Sequence, residues 1–376
     1  MQGLMSTLAF MGIDPAPLNR VLRVEPIDPE TALVAAIRAF ELNPSCQPRS
    51  QLPIEHIRFW AAWHRLKRGH YDHETWEWWE NRFGIYRHPK RVMNRACYWD
   101  GRPLGGRTIW LDYDEAGLGD ILQFGRCAAV AKAAGGRVVI PLEPRLHCLL
   151  PLLKLCSAID EVILIGKREM HYIPSNDVGM PILSFPLILG VTQSTIPNCQ
   201  WLPDPPPEYR ERARTRIGGA GFRIGLSWGT GEDNSRDVPL AAFTDLAAIP
   251  GVSLFSLQRG KQVSEMKDIG FNIANGLEDG THILDTAAAM CELDLIISAD
   301  TMTCHLAGSL GKPVYTLLPN PACWRWMVGR SDTPWYPTMT LFRQTVAGDW
   351  STPVAEVVAA VRSQLFRDEP KGVPAA

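Results

Sequence analysis

Two short apolar runs, Leu295–Ile297 and Val314–Leu318, enclose a polar segment, Ser298–Gly308. This order predicts a strand, a tight loop, a short helix and a second strand, which is typical of a parallel α/β sheet. In such sheets ligands bind at the carboxyl ends of the strands, where the N–H groups of a following helix favour an anion. The segment therefore predicts a site for a phosphate-bearing ligand.

The same alternation of strands and helices occurs in two regions of the chain. The first begins at Thr108 and continues to Ile165, and the second begins at Arg223 and includes the strands around Asp300. The cluster Pro203–Pro207 separates them, and it fits neither a helix interior nor a central strand. We therefore expect an α/β fold of two nucleotide-binding-like domains, each with a parallel sheet, joined by a proline linker.

Residues 1–95 differ, because apolar side chains recur at helical spacing in Glu30–Leu42 and Ile54–Lys67. A third segment, Glu74–Phe83, is rich in tryptophan. These tryptophans fit either an aromatic core or a recognition surface for a protein partner. Paired helices of this kind stack in helical repeats, although the sequence has no clean internal period. The expected divisions are a helical module (1–95), two α/β domains (107–202 and 221–345) and a C-terminal helix (351–368) that packs on the α/β part.

Composition narrows the class of protein further. The chain has 376 residues, 46% hydrophobic and 21% charged, which suits several globular domains rather than extended disorder. A formal net charge of -2 gives no indication of a nucleic-acid partner. Nine cysteines without a C-x-x-C pair predict reduced thiols rather than disulfides or a zinc site. Without a convincing signal peptide or an apolar run of ~20 residues, we expect a cytoplasmic protein, with peripheral contact to the inner membrane left open.

Asp120 ends a glycine turn, Gly117–Gly119, directly after the first α/β strand. A carboxylate at this edge of the sheet is able to remove a proton from an acceptor hydroxyl. Asp is also a preferred residue for capping a helix N-terminus, and the spacing fits both interpretations. The turn has only the G-x-G part of the dinucleotide fingerprint, which argues against a nicotinamide dehydrogenase.

The second α/β region contributes polar residues at the ends of two strands. Arg236 lies in the long polar loop Gly229–Asp237 and has the paired N–H donors that neutralise a leaving diphosphate, although a solvated surface arginine fits too. Gln258 ends the next strand in a comparable position, where its amide is able to bind a nucleotide base. No metal-ligand spacing is present, so protein donors would have to neutralise phosphate charge and no metal or other cofactor is expected.

The opening segment supplies the remaining candidates. Thr301 and Thr303 place hydroxyl groups at a helix start, and His305 follows one turn later. The alternatives are a buried structural role for His305 and an ordinary cap for Asp300. Trp324 follows the last strand of the segment, where it would either flank a base or sugar or close the core.

Several sequence blocks occur in a consistent order between about Tyr71 and Gln344. They are Glu115–Phe124 (EAGLGDILQF), Ser256–Gly260 (SLQRG), Ser298–Pro313 (SADTMTCHLAGSLGKP), Trp324–Trp326 (WRW) and Asp332–Pro337 (DTPWYP). As a set they resemble bacterial tetratricopeptide-repeat (TPR) proteins whose C-terminal part is similar to glycosyltransferase family 9, the heptosyltransferases. The helical segment that contains Trp76 to Trp79 resembles the last repeat of those proteins.

The resemblance implies a GT-B fold and metal-independent, inverting transfer of a sugar from a nucleotide-sugar donor to a hydroxyl of a glycan, lipid-linked or protein acceptor, as in polysaccharide biosynthesis. In this family pattern Asp120 is the general base and Arg236 stabilises the donor diphosphate. The implied donor-binding residues are Gly119, Trp228, Gln258, Asp300, Thr301, Met302, Thr303, His305 and Trp324. Classical heptosyltransferases carry an acidic residue near position 258 and often a smaller one at 302, so the sugar and base stay open. A sugar-nucleotide epimerase and a non-catalytic interaction protein are the alternatives.

Overall fold

The structure is a computed structural model, and it describes residues 29–42, 53–85, 95–113, 116–166, 173–197, 200–231, 234–267, 269–277 and 282–366. Its strands are β1 (Thr108–Asp112), β2 (Arg137–Leu142), β3 (Glu161–Leu164), β4 (Val178–Pro181), β5 (Phe222–Ser227), β6 (Val252–Ser256), β7 (Ala274–Asn275), β8 (Leu295–Ala299), β9 (Val314–Leu318) and β10 (Met339–Arg343).

Its α-helices are α1 (Pro29–Leu42), α2 (Ile54–Lys67), α3 (His73–Trp79), α4 (Arg82–Ile85), α5 (Leu118–Phe124), α6 (Cys127–Ala133), α7 (Leu150–Leu153), α8 (Phe185–Ile188), α9 (Pro207–Arg216), α10 (Thr244–Ala247), α11 (Ile283–Cys291), α12 (Met302–Ser309) and α13 (Ser351–Leu365). The parts of the predicted helical module at 1–28, 43–52 and 86–94 lie outside the described residues.

The strands form two sheets, and every pairing between strands within them is parallel. The order is β3-β2-β1-β4 in the first sheet and β10-β9-β8-β5-β6-β7 in the second. In the first sheet β2 and β3 lie on one side of β1 and β4 lies on the other side. In the second sheet β6 and β7 lie on one side of β5, and β8, β9 and β10 lie on the other side. The direction in which strands are added therefore reverses between β1 and β4 and between β5 and β8. The carboxyl edge at such a reversal is where an open α/β sheet forms a ligand crevice. The predicted α/β fold with two parallel sheets is confirmed.

The central strands β5 and β8 are mostly apolar because helices or loops cover both of their faces. All five residues of β8 are buried, as are Ile224 and Leu226 of the neighbouring β5. This accounts for the continuous apolar run that marks β8 in the sequence, since a strand of a covered parallel sheet has no polar face. Helix α13 packs its buried Val357 and Val361 into the core of the second sheet.

The structure differs from the sequence pattern in two details. The apolar residues Leu122, Phe124, Cys127 and Val130 predict a single helix that runs to Ala134, whereas the structure has two helices, α5 and α6, on either side of Gly125. A Cβ atom at Gly125 would come within 2.5 Å of the Trp201 ring, so this glycine lets the segment before the proline linker pack against the first α/β half. Strands β4, β7 and β10 were not predicted; β4 is a short edge strand that ends in Pro181, where a proline costs little pairing.

The N-terminal helices pack on both α/β halves. The indole N–H of Trp76 donates to the Val191 carbonyl at 2.8 Å, on the side of the first sheet. The Trp335 indole N–H, which follows β9, donates to the Tyr71 hydroxyl at 2.8 Å. Trp76 is only 1% exposed, so the tryptophans of this segment form a core rather than a surface. Whether the helices belong to a TPR array stays a prediction.

A buried ion pair reinforces this contact. Arg82 and Glu80 are paired at the end of the helical segment, and both side chains are at most 5% exposed. Ser184, beside the first sheet, accepts from Arg82 Nη2 at 2.6 Å and donates to Glu80 Oε2 at 2.9 Å. Because isolated buried charges are costly, this closed network fixes where the helices contact the first half.

No helix within the described ranges is long and apolar enough to cross a bilayer.

Candidate active site

The carboxyl ends of β5 and β8 form one edge of the second sheet, where the strand order reverses. Ser227 pairs in register with Ser298 there, and its hydroxyl lies 3.2 Å from that of Thr303. Thr301 is the N-cap of α12, because its hydroxyl accepts from the Thr303 N–H at 3.1 Å. Thr301 and Met302 are partly exposed, so the first turn of α12 lies at the open edge.

The polar loop after β5 brings Arg236 to the same edge. Residues Asn234–Arg236 form a 3₁₀ turn, and Arg236 Nη1 donates to the backbone carbonyl of Asp300 at 2.6 Å. The base of the loop is closed by Asp237, whose carboxylate accepts from the N–H of Thr230 at 2.6 Å. A half-buried guanidinium therefore lies beside the start of α12, where it is able to bind an anion together with helix N–H groups.

Asp300 is the buried acidic group at this edge. Burial raises the pKa of its carboxyl, while nearby Arg236, Trp326 and Arg325 act in the opposite direction. The side chain is 6% exposed. Its carbonyl fixes Arg236, so Asp300 has a structural part in shaping the edge in addition to any ligand contact.

His305 lies one turn into α12 and is also buried. Its Nδ1 lies 3.0 Å from the Tyr336 hydroxyl, and its ring stacks on Trp326 with centroids 5.3 Å apart. Burial, together with the positive charges of Arg325, Arg126 and Arg236, lowers the pKa of His305 well below its ordinary value. The ring is therefore neutral at physiological pH and contributes hydrogen bonds rather than charge.

The glycine turn of the first α/β half meets this edge directly. A Cβ atom at Gly119 would lie 2.8 Å from Cδ2 of His305, which is closer than a side chain tolerates. Glycine at this position therefore permits the close approach of the two halves. The Ser309 hydroxyl of α12 donates to the Leu122 carbonyl at 2.8 Å, so α5 and α12 are joined along their length.

Asp120 is not the N-cap of α5, which is Gly117, but it lies in the first turn and closes the cap from there, and its role as a general base stays a prediction. One carboxylate oxygen accepts from the Gly117 N–H at 2.8 Å and so caps α5. The other oxygen is paired with Arg325, which lies in the 3₁₀ turn Trp324–Trp326 of the second half. Asp120 keeps 22% of its side chain exposed, so the carboxylate remains accessible from the boundary between the halves.

Arg325 was missed as a functional candidate, although the W-R-W block was noticed. Burial alone would lower its pKa, but Asp120, Cys323 and Asp300 together outweigh burial and the pKa of Arg325 is raised. The signal in the sequence was a charged residue between two tryptophans. In the structure both tryptophans are at most 1% exposed. Such a cation has to find a buried partner.

Three predicted donor-binding residues lie around the edge and have structural contacts of their own. Gln258 Oε1 accepts from the N–H groups of Trp228 and Gly229 at 2.9 and 2.8 Å, and its Nε2 donates to the Arg259 carbonyl at 2.8 Å. The Trp228 ring is buried in the core of the second sheet, and Trp324 lies in the aromatic core beside the helical segment. Their roles in donor binding stay predictions.

One group of potential metal ligands occurs in the part of the chain that the structure describes. Donor atoms of Asp300, Cys304 and His305 all lie within 4.8 Å of one another. However, the Cys304 thiol donates to the Thr301 carbonyl at 3.0 Å, and burial and Asp300 raise its pKa, so thiolate is disfavoured. The arginines that depress the pKa of His305 also repel a cation. These surroundings favour an anion, and the expected independence of metal stays a prediction.

Similar proteins are known for most of the chain. No protein-family profile matches the sequence. Protein FlbA of Caulobacter vibrioides is 26% identical over 314 residues, which are 77% of this chain and 52% of FlbA, so the chain spans about half the length of this curated relative. A solved glycosyltransferase family 9 structure from Veillonella parvula DSM 2008 aligns at 14% identity with a TM-score of 0.53, covering 72% of this chain and 100% of that one. E. coli ADP-heptose LPS heptosyltransferase II aligns at 13% identity with a TM-score of 0.46, covering 70% and 100%.

The fold is thus that of a solved family 9 glycosyltransferase, and the expected GT-B arrangement of two facing α/β halves is confirmed. At this identity the likeness defines the class of fold, and the reaction has to be argued from the residues at the boundary between the halves.

The neutral state of His305 predicts how stability changes with pH. The unfolded chain binds a proton at this histidine below its ordinary pKa of 6.5, whereas the native protein does not. The free energy of unfolding should therefore fall as pH decreases below that value, by up to about 1.4 kcal/mol per pH unit.

The measurement is urea unfolding at pH 7 and pH 5.5 for the wild type and His305→Asn. The wild type should lose more stability than the variant on acidification. Asp300 acts with the opposite sign above its ordinary pKa of 3.8, because its raised pKa keeps a proton in the native state, and the comparison between the two proteins removes that contribution. Equal losses would contradict a neutral buried His305.

Proposed function

We propose that this chain is a glycosyltransferase that moves a sugar from a nucleotide-sugar donor to an acceptor hydroxyl, without a metal and with inversion. One observation carries the proposal. Asp120 of the first half faces the edge of the second half that contains Arg236 and the start of α12. The direct link is the Asp120–Arg325 pair, and Gly119 packs on His305 beside it. A carboxylate thus lies opposite an edge whose charges suit an anion, and this arrangement supports transfer from a diphosphate leaving group.

The chemistry follows from the charges at this boundary. The acceptor hydroxyl would bind beside the exposed part of Asp120, which takes its proton as the oxygen attacks the anomeric carbon. The bond from that carbon to the diphosphate breaks on the opposite face, which inverts the configuration. Arg236 and the first turn of α12 would stabilise the negative charge that develops on the departing diphosphate. Neutral His305 would add a hydrogen bond without a competing charge.

The chemical class of the donor follows from the edge, and its sugar and base stay open. A nucleoside diphosphate suits a guanidinium next to a helix N-terminus. The acceptor would be a glycan, a lipid-linked sugar or a protein hydroxyl, and the reaction would take place in the cytoplasm. The N-terminal helices, whose tryptophans are already used in the core, would contact a protein partner only through their outer faces.

The test is a thermal-shift screen of the full chain with ADP, GDP, UDP and TDP, followed by incubation with the corresponding nucleotide sugars. We expect one base to raise the melting temperature and its sugar nucleotide to release nucleoside diphosphate slowly by transfer to water. The anomeric form of the first sugar released should be opposite to that of the donor.

Arg236→Gln should lose the thermal shift. Arg223→Gln is a matched control, because Arg223 is paired with Asp294 at the opposite end of β5 and lies away from the edge. Conversion of the donor to another sugar nucleotide, without release of diphosphate, would indicate an epimerase. The absence of a shift with all four nucleotides would indicate a non-catalytic protein.

A further inference from the structure

The Arg325 guanidinium has a partner on each of its nitrogens. Nε donates to the side-chain oxygen of Gln123 at 2.7 Å, Nη1 donates to Cys323 Sγ at 3.2 Å, and Nη2 is paired with Asp120. Its side chain is only 15% exposed. The planar fork therefore has a single well-defined orientation rather than the mobility of a surface arginine.

This side chain spans the boundary between the two α/β halves. Arg325 belongs to the turn after β9, whereas Asp120 and Gln123 belong to α5 of the first half. The guanidinium carbon lies 5.6 Å from the ring centre of Phe124 and 4.9 Å from that of Trp324, so aromatic rings from both halves contact it. One residue thus links the Asp120 turn to the second half by charge, hydrogen bond and ring contact.

We infer that Arg325 is the positioning residue for Asp120, an inference that rests on the function proposed above. The Gly117 N–H and Arg325 each bind one carboxylate oxygen, and together they fix the rotation of the side chain. Each oxygen keeps a further lone pair, so the carboxylate is still able to accept a proton from a hydroxyl. Arg325 in this way aligns the proton acceptor of one half with the diphosphate-binding edge of the other.

A lysine would not reproduce this arrangement. The guanidinium reaches Gln123 and Asp120 with different nitrogens of one rigid plane, whereas an ammonium is a single point charge on a flexible stem. Arg325→Lys should keep the attraction to Asp120 and lose its geometry. Arg325→Met should lose both while preserving most of the contact with Phe124 and Trp324.

The experiment measures hydrogen exchange of the Gly117–Gln123 amides in the full chain without ligand, together with kcat, KM and the thermal shift by the nucleotide found in the screen. In Arg325→Met, exchange at Gly117 should rise because the Asp120 carboxylate no longer holds one orientation. kcat should fall by about 100-fold, as for other misplaced catalytic groups, with KM for the donor unchanged. For Arg325→Lys, both the exchange at Gly117 and kcat should lie between those of Arg325→Met and the wild type. Arg210→Met, which breaks the pair with Glu292 at 2.6 Å, is the control. It should change neither the exchange at Gly117 nor kcat.

Each outcome decides the matter. Unchanged exchange at Gly117 would overturn the inference whatever the activity, and so would a normal kcat despite faster exchange. Loss of the nucleotide shift together with kcat would make Arg325 a donor ligand instead and would also overturn it. If the wild type transfers no sugar but exchange at Gly117 is still faster in Arg325→Met, the contact between Arg325 and Asp120 is supported and the proposed function is refuted. If Arg325→Met does not fold, Arg325→Lys is judged by the same criteria.

Discussion

Replacement of Asp120 by Asn should lower kcat by about 10²–10⁴-fold, the range typical of losing a general base. Asparagine has nearly the shape of aspartate, but its single oxygen accepts from either the Gly117 N–H or Arg325 rather than from both, and it cannot take the proton of an acceptor hydroxyl. The nucleotide thermal shift should persist, since Arg236 and α12 are untouched. The measurement is single-turnover transfer from the donor identified by the screen.

Asp160→Asn is the matched control for this substitution. Asp160 also accepts from a backbone N–H, that of Val138 in the first sheet at 2.8 Å, and pairs with a cation, Lys132 of α6. It lies at the opposite end of that sheet, next to the start of β2. Its loss should leave kcat unchanged. A normal kcat in Asp120→Asn would remove Asp120 from the proposed mechanism while leaving nucleotide binding intact.

Replacement of Trp324 by Ala should lower the free energy of unfolding by about 3–5 kcal/mol, as expected for a large-to-small change in a core. The Trp324 ring lies 6.0 Å from that of Trp76, 5.2 Å from that of Trp79, 6.5 Å from that of Phe124 and 6.3 Å from that of Trp335. The helical segment, the first half and the second half all contribute rings, so the cavity would weaken all three contacts. Chemical denaturation measures the loss.

Trp228→Ala distinguishes a core that the helical segment shares with both α/β halves from a core that belongs to the second half alone. Trp228 is as buried as Trp324, at 1% exposure each, but its neighbours belong to the second sheet and the helices on it. Both variants should be destabilised, whereas amide exchange in His73–Trp79 should rise only in Trp324→Ala. Equal exchange of that helix in the two variants would contradict the view that Trp324 holds the helical segment in place.

The same contacts bear on how the two halves move. Trp76 is bonded to Val191 beside the first sheet, and Tyr71 is bonded to Trp335 beside the second. Opening the boundary by a hinge at Pro203–Pro207 would separate Tyr71 or Trp76 from its partner. A wide rotation of the halves would therefore have to break one of these hydrogen bonds.

The sequence by itself determined the two-sheet architecture. The apolar run of β8 and the glycine turn before α5 depend on local physical requirements, namely coverage of both strand faces and a chain reversal without a Cβ. The same local logic located Arg236 and Thr301, because residues that follow parallel strands gather at one edge of a sheet.

Only the tertiary structure decided what those residues contact. The pairing of Asp120 with Arg325 joins positions 205 residues apart in the chain, and neither side chain has a local pattern that names the other. The need for glycine at position 125 depends likewise on Trp201, and the neutrality of His305 depends on burial and on arginines from separate segments. Burial and long-range charge are properties of the packed chain. A pattern along the sequence therefore located these side chains, whereas the fold alone decided which of them are in contact.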